Sequence, residues 1–225
     1  MDYLTNLLWI QFSFLMLTNL LAFICFEITP IVLGKQQKIS ENFLDLIVYQ
    51  FGMSIVSLFF GIIILVFMKA TNFDLQILDI RSLPTIIQVS IVYLVSEFFI
   101  YLAHMGAHKW KIPLVSNAHK FHHRVTDNME WVNSKKENPF IVFLFVLVFC
   151  LVFYIIFHTG TLTKLLSINI FIFLQALSHY REKFSLPILN KFFLFPKDHF
   201  RHHTERSGPY GVTLSIYDTI FSTRR

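Results

Sequence analysis

The sequence predicts an all-α fold: an integral membrane helical bundle of four to five spans with a cytoplasmic, histidine-rich cap. Three observations lead there. Hydrophobic residues make up 55% of the 225-residue chain and charged residues only 15%, with a mean hydropathy of +0.58; soluble domains carry about 25% charge. Four apolar runs reach the roughly 17–25 residues a helix needs to cross a bilayer. Ten histidines stand in this background, and polar groups near a membrane are costly and usually functional.

The elements follow in order. The first run, residues 7–26, is preceded by Asp2 and by no Lys or Arg. It lacks the basic stretch of a cleavable signal peptide and is expected to be a retained span. The second, third and fourth runs cover residues 46–68, 86–105 and 140–157. Pro84 and Pro139 stand just before the third and fourth, where proline suits a helix start. A fifth run, 165–177, is short and holds Asn169 and Gln175; a tilted return helix or a re-entrant one is expected. Residues 186–195 are apolar but too short to span. They can lie in the interface near a substrate entrance or pack into the cap. Cys25 and Cys150 lie inside apolar runs and read as small hydrophobes, not as a disulfide. The chain reads as one membrane domain, with N-terminal spans in 1–85 and a histidine-bearing region in 86–225.

Charge gives sidedness. The net charge is +5 and the pI is near 9.2. If the third run ends in the cytoplasm, the segments 27–45, 106–139 and 178–225 hold sixteen of the nineteen Lys and Arg residues. That bias follows the positive-inside rule. It accounts for the basic balance without nucleic acid, for which the chain has no binding signature.

The histidines sort the same way. His104, His108, His119, His122 and His123 fall at or after the cytoplasmic end of the third run, and His179, His199, His202 and His203 follow the fifth. Only His158 lies at the far end of the fourth run, about 27 Å away along a helix, where it reads as an interfacial polar residue. His104 and His108 are four apart and project from one helix face. His119-x-x-His122-His123 and His199-x-x-His202-His203 repeat a pattern whose i, i+3 and i+4 positions converge on one face. Neutral imidazole is the commonest metal ligand. Eight or nine rings exceed the four that one tetrahedral zinc takes and suffice for two metals.

These motifs resemble the histidine boxes of the fatty acid hydroxylase / sterol desaturase superfamily. The tail Tyr210-Gly211 … Tyr217-Asp218-Thr219-Ile220-Phe221-Ser222-Thr223 is similar to its closing pattern, Tyr-Gly … Trp-Asp-x-x-Phe-Gly-Thr. Glu97 and Tyr101 stand where that superfamily often has an acid and an aromatic. The resemblance runs from about residue 90 to 225 and implies a non-haem di-iron oxidoreductase. Such an enzyme hydroxylates or desaturates a membrane lipid, using O2 and two electrons from outside. It implies His104, His108, His119, His122, His123, His199, His202 and His203 as iron ligands and catalytic residues, with His179 as a ninth ligand and zinc as a possible substitute metal. Asn138-Pro139 stands where many members have His-Pro, and Tyr217 and Ser222 depart from the closing pattern.

Acids would then orient imidazole N–H groups from behind, and Glu97, Asp198 and Asp218 are expected in that role. The chain carries no haem or flavin motif, so a separate electron-donor protein is expected. The implied membrane is the endoplasmic reticulum in a eukaryote or the cytoplasmic membrane in a bacterium. Sterol, sphingoid and fatty acyl substrates all stay open. Two alternatives stand beside this reading. A metal transporter would need ionisable residues along a path through the bilayer. A catalytically inactive family member would fit the Asn138 and Ser222 departures.

Overall fold

The computed structural model describes residues 13, 16–33, 43–71, 75–124, 138–180 and 184–224. Among them the chain is mostly helical. Helix α1 is Met16–Val32 and α2 is Phe43–Thr71. A two-residue strand β1, Leu78–Asp79, leads to α3, Thr85–His108, and α4, Pro113–His122. Then come α5, Pro139–Ile156, strand β2, Phe157–His158, and α6, Thr161–Ser178. The tail forms α7, Pro196–Glu205, and α8, Ile216–Ile220.

Three of these helices are long and apolar enough to cross a bilayer. They are α3 with 24 residues, and α5 and α6 with 18 each, with mean hydropathies of 1.9, 3.1 and 1.4. The fifth apolar run is thus part of a longer helix than its 13 positions suggest. Its helix begins four residues earlier, in the polar turn Thr161–Lys164, after Gly160 at the N-cap. The apolar helical stretches Met16–Val32 and Ile55–Met68 are shorter than 18 residues. The first residues of the N-terminal run and the basic residues Lys35, Lys38, Lys135, Lys136, Arg181, Lys183 and Arg225 lie outside the described residues.

The packing brings the ends of α3 and α6 together at the histidines. Gln88 joins the starts of α3 and α6 by donating to the Leu83 carbonyl (2.8 Å) and accepting from Thr163 Oγ1 (3.0 Å). These two helices therefore run in parallel and finish together at His104, His108 and His179. Helix α5 runs the other way. Pro139 occupies its first turn, and the Asn138 side chain caps it by accepting from the Phe140 N–H (2.9 Å). At its far end β2 pairs in parallel with β1, Leu78 beside Phe157 and Asp79 beside His158. Between these ends lies the core of Val92, Ile100, Phe149, Val152, Phe153 and Phe171, closed from the tail by Val212 and Leu214.

Two outer helices complete the bundle. Phe26 of α1 packs against Phe173 and Tyr180 of the α6 segment, with ring centroids 5.6 and 5.3 Å apart. Phe60 of α2 meets Phe143 of α5 edge-on at 5.1 Å. The apolar segment 186–195 divides. Leu186, Ile188, Leu189 and Phe192 are exposed, whereas Leu194 and Phe195 are buried under the tail.

Candidate metal centre

Four places along the chain carry the histidines to one end of the bundle. His104 and His108 occupy the last turns of α3. The chain then folds back, with Ile112 N–H on the Gly106 carbonyl (3.1 Å), and Pro113 opens α4. That helix carries His119 and His122, and His123 follows as its cap. His179 caps the end of α6. Pro196 opens α7, which carries His199, His202 and His203. Both His-x-x-His-His segments thus sit on ten-residue helices with proline at the start. There the absent N–H would have had no helical partner.

The nine rings form two groups. His104, His108, His119, His123 and His202 make one, and His122, His179, His199 and His203 the other. Within each group one nitrogen per ring lies within 4.8 Å of all the others. Eight of the nine side chains are buried, His108 being partly so. His158 belongs to neither group; it sits in β2 with Nδ1 3.9 Å from the Asp79 carboxylate.

The hydrogen bonds fix how these rings present themselves. His104 donates through Nδ1 to the Tyr210 carbonyl (2.7 Å), His202 to the Ser207 carbonyl (3.0 Å) and His179 to the Gln175 carbonyl (2.8 Å). A neutral ring that donates through Nδ1 keeps a lone pair on Nε2. Yet Nε2 of His104 and Nε2 of His202 face each other at 3.0 Å. Nε2 of His179 likewise faces those of His122 (3.1 Å) and His199 (3.0 Å). In the first group two lone pairs face each other and repel unless a cation sits between them, and in the second the lone pair of His179 is aimed at two further ring nitrogens; both donor sets fit a metal.

Burial keeps the rings neutral. It pushes His119, His122, His123, His199 and His202 below the ordinary histidine value, and the neighbouring imidazoles add to the shift because two charged rings would repel. A deprotonated imidazole is the form a metal takes.

None of the three acids holds a ring: Glu97 and Asp218 hold backbone N–H groups and Asp198 holds an arginine. Glu97 is buried, and its Oε2 accepts from the N–H groups of Thr213 (3.2 Å) and Leu214 (3.1 Å). Asp198 pairs with Arg224 (2.9 Å). Asp218 accepts from Tyr210 N–H (2.6 Å), Gly211 N–H (2.8 Å) and Thr223 Oγ1 (2.7 Å). Burial raises the Asp218 carboxyl above its ordinary value against these hydrogen bonds. Among the described residues, the carbonyls of Tyr210, Ser207 and Gln175 hold three imidazole N–H groups. No residue type advertises a carbonyl, so spacing had no means of finding them. Two glycines near by mark the tight backbone: a Cβ on Gly208 would stand 1.9 Å from the Thr223 carbonyl oxygen, and one on Gly211 2.0 Å from that of Leu214.

A cavity opens onto both groups. His104 and His119 of the first and His122, His179 and His199 of the second line it, with Ala103, Ala107, Ile141, Leu144 and Phe145 as apolar wall. Gln175 lines it too. Asn138, where a histidine was at issue, serves α5 as its cap, its side-chain oxygen accepting from the Phe140 N–H. Ser222, in the place of the motif glycine, adopts φ 53°, the left-handed conformation that favours glycine. Tyr217 donates to the Leu94 carbonyl (2.6 Å), and burial pushes its hydroxyl up to about 12.

Among known proteins, the family model described as fatty acid hydroxylase matches residues 89–223. No curated protein and no solved structure matches the chain.

Proposed function

Since the chain belongs to the fatty acid hydroxylase family, we propose that it is an integral membrane oxidoreductase that hydroxylates or desaturates a lipid. It would use O2 and electrons from a separate donor protein. The family supports the reaction class, and the two histidine groups support metal binding. The observation that carries the reading is the convergence of ring Nε2 atoms at 3.0–3.1 Å in both groups, with those of His104 and His202 facing each other as lone pairs.

All nine histidines are proposed as ligands: five in the first group and four in the second. Iron is the proposed metal, with zinc as a substitute in protein made without enough of it. Two irons bound there would supply the O2-dependent, two-electron oxidation of an unactivated C–H bond, which no side chain performs unaided. The protein's part is positional. The Tyr210, Ser207 and Gln175 carbonyls hold three rings by Nδ1 and so aim Nε2 inward. Asp218 acts one group further back, holding the N–H of Gly211, which shares a peptide unit with the Tyr210 carbonyl, and the N–H of Tyr210 itself. The wall of Ala103, Ala107, Ile141, Leu144 and Phe145 takes up a hydrocarbon segment and keeps water from the reacting carbon. The site is proposed to face the cytoplasm.

The test is metal analysis of the purified protein beside lipid analysis of cells with and without it. About two irons per chain, with a lipid gaining one oxygen or losing two hydrogens, is expected, and His119→Ala should abolish the product. A protein that folds without metal, binds no iron and changes no lipid would overturn the reading.

A further inference from the structure

Helix α6 contains five buried polar residues before its cap, and four of them are satisfied. Thr163 Oγ1 donates to Gln88 Oε1 (3.0 Å), Ser167 Oγ to the Thr163 carbonyl (2.8 Å), Asn169 Nδ2 to the Leu165 carbonyl (2.8 Å) and Ser178 Oγ to the Gln175 carbonyl (2.9 Å). The fifth is Gln175, which is only 5% exposed. Its backbone carbonyl takes the protons of Ser178 and His179. Its side-chain amide has no hydrogen-bond partner among the described residues, and the residue lines the cavity beside the histidines. An amide left unpaired in an apolar pocket is destabilising. Leucine or methionine at this position would avoid that and would suit a helix equally well.

Position adds to this. Gln175 precedes His179 by one helical turn, which sets their Cβ atoms about 5–6 Å apart. A group on the amide therefore lies within a few bonds of a carbon held against the second histidine group. Apart from the histidines, the rest of the lining offers only hydrocarbon. An amide both donates and accepts, so a carbonyl or a hydroxyl oxygen would satisfy it and an alkyl chain would not.

We propose that Gln175 is the specificity-determining residue of this cavity. It selects lipids that carry a carbonyl or hydroxyl oxygen a few bonds from the carbon oxidised, and it disfavours plain hydrocarbon at that depth. The proposal rests on reading the site as a lipid-oxidising centre and narrows its substrate class. A site built to pair a polar group discriminates strongly against analogues that lack one.

The experiment measures binding to the full-length protein in detergent, using n-hexadecane, 1-hexadecanol and methyl palmitate as probes. The hydroxyl and carbonyl arms identify which oxygen the amide reads. Wild-type protein should bind at least one oxygen-bearing probe roughly tenfold more tightly than hexadecane. Gln175→Met keeps the volume and removes donor and acceptor; it should erase that preference, weakening the oxygen-bearing probe while hexadecane binds at least as tightly as before. Equal binding of all three probes by the wild type overturns the proposal without recourse to any variant. So does a Met variant that keeps the preference or loses all three probes alike. Iron content and product are read on the same samples. A preference in a protein without iron or product leaves the subsite standing and removes the functional reading. Absence of preference in an iron-loaded, active protein does the reverse.

Discussion

The carboxylate of Asp218 holds the N–H of Tyr210 at 2.6 Å, and the carbonyl of that same residue takes the Nδ1 proton of His104 at 2.7 Å. An acid thereby orients a metal-site ring through one residue of backbone. Asp218→Ala is expected to weaken metal retention roughly 10–100-fold, the usual effect of removing such support. Asp218→Asn, which still accepts one of the two N–H groups, should do less. Competition against a chelator measures both.

Gly211 stands where backbone passes close to backbone. The Cβ that Gly211→Ala introduces would meet the Leu214 carbonyl at 2.0 Å and Asp218 Oδ2 at 2.9 Å. The turn must shift and carry Tyr210 with it. A loss of about 1–3 kcal/mol in stability is expected from such overpacking, with reduced metal content. Thermal unfolding and metal analysis read the two effects separately.

Ser222 makes the opposite prediction. It sits at φ 53° without the freedom of glycine and is exposed. Ser222→Gly should stabilise the protein by about 0.5–1 kcal/mol, relief of the left-handed strain outweighing the added freedom of the unfolded chain. A raised unfolding midpoint with unchanged metal content is the expected result.

Asn138→Ala removes the side-chain cap of α5 and should reduce stability by about 1 kcal/mol. Metal content should not change, because the Asn138 side-chain oxygen is taken up by the Phe140 N–H at the start of α5. Loss of metal in this variant would return the residue to the centre.

Acid should loosen the metal-free cap. The buried rings of His119, His122, His123, His199 and His202 are held below the ordinary value of 6.5. An unfolded chain would take up protons near that value while the folded one does not. Stability is therefore fully present above about pH 6.5 and lost as pH falls below it. The unfolding midpoint of chelator-treated protein, followed from about pH 8 to pH 5, should fall on the acid side; an invariant midpoint contradicts this.

The histidine spacing was readable because i, i+3 and i+4 positions share a helix face, and the prolines Pro113 and Pro196 start both helices that use it. The apolar runs were readable as helices for the same reason of composition. The extent of α6 was less so, since its first turn is polar and only Gly160 marks where it begins. The supports of the rings were not legible at all. The sequence offers Glu97, Asp198 and Asp218 as the charged groups near by, but carbonyls of Tyr210, Ser207 and Gln175 do the holding. Gln175 shows only as a polar letter in an apolar run; its lack of a partner is a property of the packing around it.

The division of the histidines between the groups has a further consequence. Helices α4 and α7 each donate to both, α3 and its His104 and His108 to one, and His179 at the end of α6 to the other. Whatever fixes the backbone of α4 for one ion fixes it for the second, so the two ions should load as a cooperative pair. They would also act as removable cross-links. His104 and His202, 98 positions apart, would be tied as firmly as a covalent bridge ties distant segments, in a chain whose Cys25 and Cys150 are both free. A chelator titration of the loaded protein should then be sigmoidal, with both metals leaving and the cap opening in one transition.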